Sequence, residues 1–312
     1  MPADAFETAV GHFWGIFGTR DYMRARYNLA DTLSRSGTLD GVIEALDHLR
    51  DMLRLCRGDN MGLRHLVPPL MLQLDQDQEC YDFIKWWVTA GRDEHYDWGD
   101  IDLPFLNVQG ANVFEDVKYM NEKRGDFRLV CGVLLLKMKL LVDIINIKLV
   151  RKVCANDGRL PPELWRHVER HVTRSPLSRQ WVGKPDQEVM DVLRKLESNV
   201  VHLARSLHTM NGLFASGLLD PNEYLAFRPG YYSPGSFEEM QLLLAFSYAT
   251  WWQHEGVLEL LQSAKFITAK ESLLEDLGGD SLWVYFDQAV DDAMSLDRIR
   301  PSEIRRRLET KK

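Results

Sequence analysis

The chain has 312 residues, 45% of them hydrophobic and 27% charged; these are ordinary globular proportions and exclude intrinsic disorder of the body. Acidic residues outnumber basic ones by 46 to 38, for a net charge of −8, and a body of that sign is a poor general binder of nucleic acid or anionic membranes. The length suits one elongated domain or two lobes in contact.

Acid stands near the N-terminus, in Met1-Pro2-Ala3-Asp4-Ala5-Phe6-Glu7, where a signal peptide needs base. From residue 23 to residue 56 the pattern is that of a helical hairpin. Leu29, Ala30 and Leu33 make one face, Gly37 punctuates, and Val42, Leu46, Leu49 and Leu53 make a second face. The pattern returns: Val67, Met71, Asp75, Cys80, Ile84 and Trp87 stand where Leu29, Leu33, Gly37, Val42, Leu46 and Leu49 stood. Pro68 and Pro69 fall inside the first helix of this second copy, where a missing backbone donor predicts a kink or a shortened helix.

Between residues 89 and 123 the periodicity fails. Asp93, Glu94, Asp97, Asp100 and Asp102 crowd a stretch that also holds Tyr96, Trp98 and Phe105, which predicts a long loop packed onto the helices. A helix follows from Asp126 to about Val153, apolar on nearly all sides, with Lys137, Lys139, Asp143, Asn146 and Lys148 spread over two of them; such a helix belongs in the middle of a bundle or solenoid. Its longest uncharged apolar run, Leu129 to Leu136, is far shorter than the roughly 20 residues that cross a bilayer. A short helix is predicted from Pro161-Pro162 through His171 and a longer one from Asp186 to about Thr209. After a second loop, Asn211 to Gly235, the capping box Ser236–Glu239 opens a helix that runs to Gln253. Beyond Gly256, helices are predicted from Val257 to about Leu274, at Ser281–Met294 and at Pro301–Leu308. No segment sustains a period of two, so sheet is marginal at most. The expected organisation is hairpins over 1–88, a packed loop over 89–125, a helical continuation over 126–296 and a basic tail over 297–312.

The first hairpin resembles a tetratricopeptide repeat, with Leu29, Ala30, Leu33, Gly37, Leu39, Val42, Leu46 and Leu49 in the signature slots. Departures are Arg26 at the usual tryptophan, Val42 at the usual alanine and Cys56 at the closing proline. Asp59–Arg64, Asn211–Phe214, Tyr231–Ser236, Trp252 and Gly256–Leu260 are similar to segments of uncharacterised tetratricopeptide-like proteins of fungi and bacteria. Some fungal ones carry a MYND zinc finger, whose cysteine pairs this chain lacks. The resemblance implies an all-α fold, an irregular α-α solenoid with long packed loops, in which stacked hairpins leave a concave groove for a partner's peptide or helix. Groove-facing positions in that frame are Arg24, Tyr27, Asp31 and Arg35 in the first hairpin, and His65 and Gln73 in the second. The first four follow steps of three or four along one helix stripe. Many chaperone-binding tetratricopeptide domains clamp a C-terminal carboxylate with a lysine and an asparagine; the matching residues here are Tyr27 and Asp31, then His65 and Pro69. An aspartate at that place repels a carboxylate, so acidic chaperone tails are not expected as ligands.

Other chemistry is thinly represented. His167 and His171 share one face of a predicted helix and could hold one metal ion. Glu169, however, does not directly follow the first histidine as in a zinc-protease motif, and no third ligand is spaced for it. The acidic loop lacks the EF-hand pattern. Phosphate-binding glycine loops and a Gly-x-Ser-x-Gly elbow are missing. The four cysteines, Cys56, Cys80, Cys131 and Cys154, form no CxxC pair and read as buried small hydrophobes. No enzymatic activity, cofactor or metal is therefore expected. Of the pairs Trp86-Trp87 and Trp251-Trp252, at least three rings are expected in the core, with Trp86 the more exposed of its pair. Arg305, Arg306, Arg307, Lys311 and Lys312 make the tail basic, and this gives the alternative reading, a nucleic-acid- or chromatin-associated factor. A metal-dependent hydrolase on His167 and His171 is the further alternative. The leading expectation is an intracellular, cytoplasmic or nuclear, scaffold with no membrane association that binds a protein or peptide partner.

Overall fold

A computed structural model describes residues 2–121, 125–157 and 161–262, and among them the chain forms helices and no strand. In chain order the helices are α1 (Ala5–Thr8), α2 (Arg20–Ser34), α3 (Leu39–Leu55), α4 (Val67–Gln73), α5 (Asp77–Val88), α6 (Phe127–Asp157), α7 (Pro162–Val172), α8 (Asp186–Met210), α9 (Phe214–Leu219) and α10 (Phe237–Trp252). A further helix starts over 257–262. The all-α expectation holds; the helices predicted around 281–294 and 301–308 and the basic tail lie outside the described residues.

The first hairpin follows its pattern. Gly37 turns the chain with φ +71°, and the Thr38 hydroxyl caps α3 by accepting the Gly41 N–H at 3.1 Å. Gly41 lets α3 start close on α2, because a Cβ there would meet the Leu33 carbonyl at 2.7 Å. Ala30, Val42, Leu46 and Leu49 are buried and Leu33 is half-buried, but two apolar signature residues stand out in solvent: Leu29 is 48% and Leu39 67% exposed. The N-terminal segment, which could have covered them, instead packs Phe6 and Phe13 against Tyr22 near the start of α2.

In the second hairpin Asp75 takes φ +55° at the slot aligned with Gly37, a conformation that aspartate tolerates better than most side chains. Pro68 and Pro69 do not kink α4. They stand in its first turn, where the helix has no use for their missing donors, and the result is a helix of only 7 residues. The loop after α5 packs as expected, and it overturns one reading. Trp86 is fully buried, not the exposed member of its pair. Tyr96 and Phe105 close over it at 5.6 and 5.0 Å, while Trp98 stacks on Trp87 at 5.8 Å. Trp251 is core and Trp252 half exposed, so three of the four rings are buried.

The centre is α6. It is buried on every side from Leu129 to Leu141 and touches α4, α5, α7 and α8. Three charged side chains on it are also buried, Lys137, Lys139 and Asp143, and each is spent on another segment. Lys139 donates to Asp77 at 2.6 Å, to Asp75 at 3.0 Å and to the Leu72 carbonyl at 3.3 Å. Asp143 accepts the Arg174 and Ser175 N–H groups, both at 2.9 Å, and the Ser175 hydroxyl donates back to Asp77 at 2.6 Å. Lys137 donates to the Val113 carbonyl and, at 3.1 Å, to that of Glu115, anchoring the long loop. Burial pushes the Lys137 amine down to about 7, against the pull of Glu115. Burial also raises Asp75, but Lys139 and Arg174 outweigh it and hold that carboxyl below the usual range.

Two measurements check this account. Lys139→Met strands the Asp77 carboxylate in the core and should lower the unfolding free energy by about 3 kcal/mol in chemical denaturation. The second concerns His254, which is buried just after α10 with neither ring nitrogen in a hydrogen bond. Burial, then Lys139 and Arg174, drive its pKa from 6.5 to about 3, the weaker pull of Asp75 notwithstanding. Between those values the unfolded chain binds a proton that the folded one refuses, so stability is full above pH 6.5 and drains as the pH falls towards 3. The loss should reach about 2 kcal/mol by roughly pH 5. His254→Phe should flatten that slope without loss of stability at neutral pH, as read by thermal unfolding across the range.

Candidate functional site

Helix α2 presents Arg24, Tyr27, Asp31 and Arg35 along one stripe, as its sequence spacing requires, but the fold uses each differently. Arg24 is exposed, pairs with Asp21 at 2.9 Å and lies 5.6 Å over the Trp14 ring of the N-terminal segment. The middle of the stripe meets Arg228, from the loop over 220–235. Arg228 Nη1 donates to both Asp31 oxygens, at 2.9 and 3.0 Å, and its Nη2 donates to the Tyr27 hydroxyl at 3.2 Å. Arg35 Nη2 donates to Asp31 Oδ2 at 2.7 Å from the other side. The Arg228 guanidinium also lies 4.2 Å over the Phe246 ring of α10, a favourable cation–aromatic contact. Burial raises the Tyr27 phenol, with Arg228 opposing and Asp31 reinforcing. One carboxylate thus holds two guanidiniums, and the pair ties the 220–235 loop to the first hairpin.

Beside this cluster is a cavity of about 390 Å³ between α2, α3, α4 and α10. Asp31, Arg35 and Gln73 line it, together with Arg228, Phe246 and Tyr248. Three of the six residues that the repeat pattern places on a groove therefore share one cavity. Tyr27 supports it through Arg228 and Arg24 stands apart. His65 belongs to a separate hollow of about 380 Å³ that also holds Tyr232 and Glu239. There the His65 ring shares a proton with Asp126 at 2.8 Å and takes a bond from Arg128 Nη1 at 3.1 Å; with Arg128 as donor, His65 Nδ1 is the acceptor and Nε2 carries the proton.

The segment Asp59–Arg64 reads structurally: the buried Asp59 carboxylate accepts the Leu63 and Arg64 N–H groups at 2.6 and 3.1 Å and closes a turn. Burial nonetheless raises its pKa above the usual carboxylate value. Arg228 is the residue that sequence reasoning missed. It sits alone in an irregular loop 197 positions from Asp31, and no local pattern marks it.

The expectation that Asp31 repels carboxylates assumed an unpaired aspartate. With Arg35 and Arg228 both on it, and no other acid among the lining residues, the cavity carries an excess of one positive charge.

The other candidates separate in space. His167 and His171 lie on the exposed face of α7 with ring centroids 4.3 Å apart. Glu169 turns inward, where it accepts from Arg151 at 2.7 Å and from the Gly183 N–H at 2.8 Å. Among the described residues no group of three or more His, Cys, Asp or Glu side chains could hold a metal ion. Asp93, Asp97 and Asp100 each accept the backbone N–H two residues on, as turn formers do. All four cysteines are buried, and burial pushes the Cys131 thiol up to about 12. No described helix is long and apolar enough to cross a membrane. Comparison with known proteins finds no matching family model, no matching curated protein and no matching solved structure.

Removal of the central carboxylate tests the cluster. Asp31→Asn should release the loop, with faster amide hydrogen exchange over 220–235 and a stability loss of about 1–2 kcal/mol. Arg228→Gln should do the same, and the double variant should add little to either.

Proposed function

We propose that the protein is a tetratricopeptide-like interaction module that binds a partner's peptide or helix in the cavity between α2, α4 and α10. The observation that carries this reading is the convergence of Asp31, Arg35 and Gln73, groove positions of two successive hairpins, on one cavity. Supporting it, α2 packs on α3, α3 on α4 and α4 on α5, the neighbour order that stacked hairpins require. The volume is within the roughly 300–1,000 Å³ range of ligand pockets. The lining combines guanidiniums, a carboxylate, an amide, a phenol and a serine hydroxyl with apolar walls, a mixture suited to recognising a polypeptide. A nucleic-acid role for the basic tail falls on residues outside the described ones, and no observation favours it.

Peptides selected by display against the full chain test the proposal. Arg35→Ala and Gln73→Ala should each weaken a selected peptide by about 1–2 kcal/mol, with thermal stability unchanged because both side chains are at the cavity rim. Unchanged affinity in both variants would move the interface, and the hollow of His65 and Tyr232 would be the next place to test.

A further inference from the structure

We infer that the cavity between α2, α4 and α10 takes an acidic side chain, aspartate or glutamate, of the partner polypeptide; this rests on the proposal above that the cavity binds a polypeptide. The first reason is charge. Two guanidiniums face one carboxylate, so a second carboxylate brings the cluster to neutrality and relieves the repulsion between Arg35 and Arg228.

The second reason is the distribution of unused donors. Arg35 donates through Nε and Nη2, to Asp31 in both cases, and leaves Nη1 free; Arg228 donates through Nη1 and Nη2 and leaves Nε free. The side-chain amide of Gln73 and the Tyr248 hydroxyl, also on the lining, make no hydrogen bond to a described residue. Asp31, by contrast, is committed: its two oxygens already accept three charge-assisted bonds. An incoming lysine or arginine would meet two cations and no free acceptor of opposite charge. An incoming carboxylate would meet charged donors already fixed in place.

The third reason is the setting. Leu49, Leu66, Leu70 and Phe246 wall the cavity, and apolar walls thin the water that would otherwise screen an ion pair. Arg228 is held on three sides, by Asp31, Tyr27 and Phe246, so little of its side-chain freedom remains to be lost on binding. A polypeptide fits better than a free small acid because the surroundings extend beyond the charge. Phe227, next to Arg228, is 65% exposed and Tyr248 is 38% exposed, and exposed rings beside a charged centre are what peptide contacts use.

The test uses the full chain and an array of short random peptides, followed by fluorescence anisotropy on the tightest. Bound peptides should be enriched in Asp and Glu over Lys and Arg. Changing the key acid to its amide should weaken binding about tenfold or more, as should Arg35→Gln, and Arg35→Lys should recover part of the loss. Arg35 is the variant of choice because its side chain is 60% exposed and its replacement spares the core; Arg228→Gln is the companion. Peptides whose binding depends on Arg35 or Gln73 but shows no acidic preference, or a basic one, would overturn this inference and leave the proposed function standing. No array peptide whose binding depends on the cavity residues would overturn both. Free glutamate that binds as tightly as the best peptide would overturn the polypeptide partner.

Discussion

The fold depends on the ammonium of Lys139 inside the central helix. A charge removed from water is costly unless fully paired, and here all three of its protons are used: on Asp77, on Asp75 and on the Leu72 carbonyl. That carbonyl, near the C-terminal end of α4, also accepts the Asp75 N–H at 3.2 Å, so Lys139 shares in capping the helix as well as pairing with the two carboxylates. The same contacts set the turn between α4 and α5, in which Asp75 adopts its left-handed conformation. Through Asp77 and Ser175 the network reaches Asp143, about one turn further along α6, and with it the segment after α7. One stretch of helix thereby positions the second hairpin and the chain that follows α7.

The position of α10 follows from the same arrangement. The Thr250 hydroxyl donates to the Pro69 carbonyl at 3.2 Å, and the Gln253 amide donates to the Gln73 carbonyl at 3.3 Å. Both acceptors belong to α4, Pro69 in its first turn and Gln73 at its end. Arg174, which holds Asp75, also donates to the Gln253 carbonyl at 3.2 Å. The prolines start the helix, and its last residue, Gln73, offers the terminal carbonyl that the Gln253 amide takes up. Leu70 and Gln73 of this short helix and Tyr248 of α10 meet on the lining of the cavity.

Much of the fold was legible because it is local. The hairpin faces, the proline-shortened helix, the apolar central helix and the cap at Ser236 are all written in spacings shorter than two helical turns. Asp75 at the slot of Gly37 shows that even the register between the hairpins was readable, since both take positive φ. What was not legible is non-local. Trp86 reads as exposed from its helix alone and is buried only because Tyr96 and Phe105 arrive from a loop without periodicity. Leu29 and Leu39 fill repeat slots, yet no described segment packs over them. Helix α9, only 6 residues long, was hidden in a loop because so short an apolar pattern cannot be told from packing. For the cavity, the α2 stripe and Gln73 were readable and their partner Arg228 was not.

Asp31 shows how far a side chain's role depends on partners that its own sequence neighbourhood does not contain. Alone on the stripe it is a negative charge, and a groove built around it would refuse acids. In the folded chain its carboxylate is almost entirely covered and both oxygens are occupied. Its field at the cavity is cancelled by one guanidinium and reversed by the second. Its remaining effect is geometric. Without it Arg35 and Arg228 would repel each other apart, since like charges at close range in a half-dry site are costly. With it they are held side by side with donors to spare. The aspartate that argues against an anionic ligand in the sequence is the group that makes an anionic ligand fit in the structure.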